Sequence, residues 1–234
     1  AKEVIRLVKY DKNWSRIGAV SLKGVNTTVP FGFGTLRMTE YENLLYIRTS
    51  HEMFAGSDGV HHQANLTWQV RTTDMVTIDS YYEVSNLTRG YVSHSFNQFI
   101  MVDAQKNIVA LDHGDAHPRG ALLGMYEKTA SESSFSGNYF SDIIFTAQGK
   151  GGDNATGMSL GGLEYSSLGY LTAGNSVVQD ENWADHTVRN IFVTLTLYSD
   201  CTKIPVTTTY PNGSYSMSYP LTSNNNTSLK WITG

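Results

Sequence analysis

The chain has 234 residues, 40% hydrophobic and 12% aromatic, so it can bury a core and does not have the composition of a disordered polypeptide. Its formal charge is −4 and its 17 Lys and Arg residues are scattered, which argues against a nucleic-acid partner. One cysteine, Cys201, excludes an internal disulfide and a cysteine-rich zinc site. The absence of a long helical pattern, with Gly 21 and Tyr 14, predicts an all-β protein.

In chain order, four segments carry strand patterns. Residues 1–24 predict one hairpin, and residues 32–84, 91–148 and 154–234 each predict four short antiparallel strands. The last segment includes a polar insert at 199–226, rich in Thr, Ser, Asn and Tyr. No run of about 18 apolar residues occurs, so no transmembrane span is expected.

The three longer segments repeat one another. Leu45–His51 aligns with Ile108–Gly114 and with Tyr170–Ser176, at steps of 63 and 62 residues. Each aligned stretch contains a second strand and the start of the polar loop after it, which is predicted to begin at Ser50 in the first copy and at Asp112 in the second. Four short strands recurring at a near-constant period are typical of a β-propeller blade. The alternative is a β-sandwich whose strands fall at regular intervals.

In this register the hairpin at 1–24 supplies only the outer two strands of a blade, so the chain holds about three and a half blades. Propellers usually close with about four to eight blades, and an incomplete ring leaves unpaired strand edges. We therefore expect a second copy, another chain or further sequence to complete the ring. Two copies would give a seven-bladed ring.

In a propeller, the loops that enter first strands share a face with the loops that join second to third strands. Polar side chains that could bind a ligand collect in these loops. The candidate ligand-binding residues are His51, His62, His94, Asp112, His113, Asp115, His117, Arg119, Asn175 and Arg189.

This His/Asp set is compatible with metal binding or with general acid/base chemistry, and His94 and His113 are the catalytic candidates. The alternative is structural, with Asp112 and Asp115 accepting from backbone N–H groups of a turn at Gly114. No nucleophile elbow, phosphate loop or metalloprotease motif occurs. Neither a cofactor nor a metal is expected.

Five short runs stand out: His-Ser-Phe-Asn-Gln-Phe at 94–99, Asp-His-Gly-Asp-Ala-His-Pro-Arg at 112–119, Asn-Ala-Thr-Gly at 154–157, Ala-Gly-Asn-Ser at 173–176 and Arg-Asn-Ile-Phe-Val at 189–193. These runs resemble secreted or surface-attached bacterial propeller-type repeat proteins, which often have no assigned activity. The resemblance implies a β-propeller fold outside the cell or at its surface. A weaker likeness, to bacterial arylsulfotransferases, rests on architecture and a prominent histidine alone.

Two functions follow as hypotheses. The first is an extracellular binding or structural module that presents its loop face to a glycan, a cell-wall polymer or a protein. The second is a propeller enzyme, a transferase, lyase or hydrolase, that uses His94 or His113 as base or nucleophile at the channel mouth.

Overall fold

The computed structural model describes residues 1–30, 32, 34–53, 61, 63–82, 97–114, 119–126, 138–147, 156–177, 189–198 and 228–232. These residues form fifteen β-strands and no α-helix, which confirms the all-β prediction. The described part accordingly contains no helix long and apolar enough to cross a membrane.

All the strands pair antiparallel, in four sheets. The hairpin sheet consists of β1 (Glu3–Tyr10) and β2 (Arg16–Lys23). The first sheet consists of β3 (Thr27–Pro30), β4 (Arg37–Tyr41), β5 (Leu44–Met53), β6 (Gln63–Arg71) and β7 (Val76–Tyr81).

The other two sheets have four strands each, hydrogen-bonded in sequence order. The second sheet consists of β8 (Gln98–Val102), β9 (Ile108–Gly114), β10 (Gly120–Tyr126) and β11 (Asn138–Thr146). The third sheet consists of β12 (Met158–Tyr165), β13 (Gly169–Ser176), β14 (Asn190–Leu197) and β15 (Ser228–Ile232).

The first sheet has an extra strand that the sequence did not predict. Two strands share one edge of this sheet. β3 pairs with the end of β5 at Met53, and β4 pairs with the beginning of β5 at Leu44. Pro30 is the last residue of β3, and proline has no N–H with which to continue a ladder. β3, at Thr27–Pro30, is therefore a strand that joins the first sheet ahead of β4.

Two strands run further than predicted, which corrects the position of several polar residues. The sequence predicts that β9 ends at Leu111 and that a loop starts at Asp112, but the strand continues to Gly114, where Asp112 pairs with Leu122 and His113 with Ala121. Gly114 is thus a strand residue and not the centre of a turn. Similarly, His51 lies inside β5 because it pairs with Ala64.

The sheets pack face to face, with one apolar cluster between each neighbouring pair. Leu45 packs between the first sheet and the hairpin sheet, Ile108 between the second and first sheets, and Tyr170 between the third and second sheets. These three residues are aligned in the sequence, at steps of 63 and 62 residues. Aligned residues therefore lie on equivalent strands and on the same face of their sheets. The first strands β4, β8 and β12 are also spatial neighbours.

Candidate functional site

The most buried charges in the described residues join the first and second sheets. Arg48 of β5 and Asp112 of β9 are both 0% exposed. The Arg48 Nε lies 2.7 Å from Asp112 Oδ1, and its Nη2 lies 2.5 Å from Oδ2. Such a two-point contact matches the planar guanidinium to both carboxylate oxygens and is stronger than a neutral hydrogen bond.

The pair is ionised. Burial disfavours the charge on Arg48, but the carboxylate of Asp112 outweighs this effect and raises the pKa of the guanidinium. Burial raises the pKa of Asp112, and Arg48 opposes that rise. Since arginine keeps its proton at any ordinary pH, each charge here needs the other.

Neighbouring side chains complete the hydrogen bonding of this ion pair. Arg48 Nη1 donates to Thr67 Oγ1 at 2.6 Å and to Tyr126 Oη at 3.3 Å. On β8, the strand next to β9, Gln98 Nε2 donates to Asn65 Oδ1 at 3.3 Å. This hydrogen bond also runs from the second sheet to the first. The two sheets therefore share a buried polar layer at the level of Asp112.

His51, near the end of β5, is fully buried and uses both ring nitrogens. Its Nδ1 lies 2.7 Å from Thr27 Oγ1, and its Nε2 lies 2.7 Å from the carbonyl oxygen of Tyr82. A carbonyl can only accept, so Nε2 carries the proton and Nδ1 accepts from Thr27 in the neutral ring. Burial lowers the pKa of His51 to about 4.

His113, on β9, makes a similar contact across the next interface. Its Nε2 lies 2.6 Å from Thr156 Oγ1, just before the first strand of the third sheet. Burial first, and then the positive charge of Arg119, lowers the pKa of His113 to about 4. Both histidines are therefore neutral at physiological pH, and each is hydrogen-bonded to a threonine.

The remaining described candidates lie at the same end of the sheets, where second strands end and third strands begin. Arg119 directly precedes β10 and is 7% exposed. Asn175 lies near the end of β13 and is half-buried, and Arg189 directly precedes β14 and is exposed. The predicted candidates His62, His94, Asp115 and His117 lie outside the described residues.

The described part of this site is suited to holding sheets together. A general base must reach the proton that it removes, and the ring of His113 is only 3% exposed. Within the described ranges, no three His, Cys, Asp or Glu side chains are grouped so that they could hold one metal ion. A catalytic role for His94 stays a prediction.

Sequence reasoning missed the partners of the polar residues that it selected. Arg48 directly follows the apolar run Leu44–Ile47 within one strand, which is itself a signal, because a charge there needs a buried counter-charge. Thr156, the partner of His113, gives no such signal among the many threonines of the chain.

Comparison with family models, with curated proteins and with solved structures finds no match for this chain.

Proposed function

We propose that this chain is a β-propeller-type binding or structural module that acts outside the cell or at its surface. It would present the loop end of its sheets to a glycan, a cell-wall polymer or a protein. The face-to-face stacking of successive sheets, with the first strands β4, β8 and β12 adjacent, supports the propeller arrangement.

One observation carries the proposal of a module rather than an enzyme. The ionisable groups at the ends of β5 and β9 are used in contacts within and between sheets, since Arg48 holds Asp112 and Thr156 holds His113. Groups used in this way make a rigid framework, and a rigid framework that positions loops is the usual basis of a binding surface.

The charged residues at this end favour a polar or anionic ligand. Arg119 and Arg189 precede the third strands of neighbouring sheets, and Asn175 pairs with Ile191, two residues after Arg189. Arginine is well suited to bidentate contacts with carboxylate or phosphate groups, and acidic glycans and cell-wall polymers carry such groups.

The test is a glycan and cell-wall polymer binding screen with wild type and Arg189→Ala. Arg189 is exposed, so its removal leaves the fold intact and is expected to weaken binding by about tenfold, the effect of roughly 1.4 kcal/mol. Lys12→Ala is the control, because it removes an exposed cation from the turn of the hairpin sheet, away from the loop end of the other sheets. Equal binding by both variants, or no ligand for wild type, would contradict the proposal.

A further inference from the structure

The third sheet has an apolar face that nothing covers in the described residues. On this face Leu171 is 39% exposed and Ile191 is 51% exposed. Ala173 pairs with Val193, and Leu171 pairs with Leu195, so these side chains form one continuous surface across β13 and β14. Large apolar side chains contiguous on one sheet face are typical of an interaction surface.

The repeat shows what such a face normally contacts. Tyr46 and Val109 occupy the position of Leu171 in the two preceding sheets. They are 1% and 0% exposed, because the following sheet covers them. The face that carries Leu171 is therefore apolar, like the faces that contact a following sheet, but no following sheet covers it in the described residues.

A second uncovered face lies on the hairpin sheet. Ile5, Leu7 and Val20 pack against the first sheet, so the alternate residues of β1 and β2 point away from it. Among these outward residues Tyr10 is 49% exposed and Ile17 is 57% exposed. In every later sheet, the face equivalent to this one is covered by the preceding sheet.

We propose that these two faces bind each other in two copies of the chain, so that the third sheet of one copy packs against the hairpin sheet of the other. The proposal rests on the propeller-type stacking proposed above. Each copy offers both faces, so the contact is made twice in a symmetric pair of chains.

The charges of the two faces are complementary. Glu164 pairs across strands with Leu171 and is exposed, at the end of the third sheet where its first two strands turn. Arg16 is also exposed, and a register shift between Lys9 and Tyr10 pairs it with Tyr10 on the outward face, at the end of the hairpin sheet where its two strands turn. In a four-stranded antiparallel sheet these two turns lie at the same end. Stacking the two sheets in the repeat orientation therefore brings Glu164 and Arg16 to the same level.

A second copy fits better than a contact within one chain. The first and second sheets are stacked between the two faces, and the described residues leave both faces exposed. An unrelated partner would have to reproduce the outward face of the hairpin sheet, which this chain already carries.

The experiment is light scattering after size-exclusion chromatography over a range of concentrations. The expected mass is twice the 25.9 kDa of the chain. Leu171→Glu on one face and Ile17→Glu on the other should each raise the dissociation constant by about tenfold or more, because each places a charge in an apolar contact. Met38→Glu is the control, since it makes the same kind of change at a 55% exposed residue of β4 outside both faces.

The decisive measurement uses a mixture of the two variants. The Leu171→Glu chain keeps its hairpin face, and the Ile17→Glu chain keeps its third-sheet face, so the mixture should form a 1:1 complex through one intact contact. A wild type that stays monomeric, a dimer that neither variant weakens, or a mixture that does not associate would each overturn the proposal. Circular dichroism and ligand binding of the variants separate these outcomes from a failure of the fold or of the proposed binding function.

Discussion

Two neighbouring interfaces of this repeat are held together by different forces. Between the first and second sheets lies a polar layer with the Arg48–Asp112 ion pair at its centre. Between the second and third sheets the main contact is apolar, with Phe145 stacked on Phe192 at a centroid distance of 3.9 Å and an interplanar angle of 7°. Equivalent strands build both interfaces, so backbone geometry alone does not decide how a sheet binds its neighbour.

The two interfaces should therefore differ in how much stability they lose on substitution. A buried ion pair fails when one partner is removed, because the other charge remains without compensation. An apolar contact weakens in proportion to the volume and area lost. The four predictions below test this difference, beginning with the largest effect.

The substitution Arg48→Met should lower the free energy of unfolding by about 3–5 kcal/mol, the typical cost of leaving a buried charge unpaired. Chemical denaturation measures the loss. The control is the double variant Arg48→Met/Asp112→Leu, which removes both charges and should recover most of the stability. If the double variant is as unstable as the single one, the ion pair is not the reason for the loss.

Acid should weaken the protein through its buried histidines. The pKa of His113 falls from an ordinary 6.5 in the unfolded chain to about 4 in the folded one, so between these values the unfolded state binds more protons. The contribution is complete above pH 6.5 and is lost as the pH falls toward 4. Between pH 7.5 and 4.5, wild type should lose about 2–3 kcal/mol more than His113→Gln does.

Denaturation at the two pH values measures this difference. His61→Gln, which replaces an exposed imidazole, is the matched control for the substitution itself. An unchanged slope in His113→Gln would contradict the prediction.

The hydroxyl of Tyr170 is a polar contact of the mainly apolar second interface, beside the contact of His113 with Thr156. It donates to Asp103 Oδ2 at 2.5 Å across the two sheets. Tyr170→Phe should cost about 2 kcal/mol, as expected for a hydrogen bond to a charged group. Tyr198→Phe is the control, because its hydroxyl donates to the neutral carbonyl oxygen of Ser166 and should cost about 1 kcal/mol. Thermal unfolding that ranks the two variants in the opposite order would contradict this account.

The smallest effect is expected at the aromatic stack. Phe192→Leu keeps an apolar side chain of similar size and should cost about 1 kcal/mol, mainly from the lost ring contact with Phe145. Chemical denaturation beside Arg48→Met gives the direct comparison. A loss as large as that of Arg48→Met would show that the two interfaces do not differ in tolerance.

Local patterns in the sequence were sufficient to predict most strands. The polar stretch Asp103–Asn107 between two apolar runs predicts a hairpin turn, and the structure confirms it, since the Asp103 N–H donates to the Asn107 carbonyl at 3.0 Å and Lys106 has a φ of 70°. The second strands were predicted from their β-branched and apolar composition and from their alignment at steps of 63 and 62 residues. These features depend on residues close together in the chain, where composition and spacing are informative.

The limits of β5 and β9 and the ion pair could not be predicted in the same way. Polar residues usually mark loops, so Asp112 and His51 were placed outside the strands. Their burial depends on Arg48, 64 residues before Asp112, and on Thr27, 24 residues before His51. Such pairings follow only from knowing which sheets and strands are neighbours.

The Arg48–Asp112 pair also bears on folding fidelity. Sheets made from one repeat can stack in the wrong order, and misassembly of similar units is a known failure of repeat proteins. The residue aligned with Asp112 in the third sheet is Gly174, where an added Cβ would lie 2.5 Å from the Phe192 ring. If the third sheet took the place of the second, Arg48 would face a glycine and an aromatic ring instead of a carboxylate. The ion pair therefore identifies the second sheet as the correct neighbour of the first.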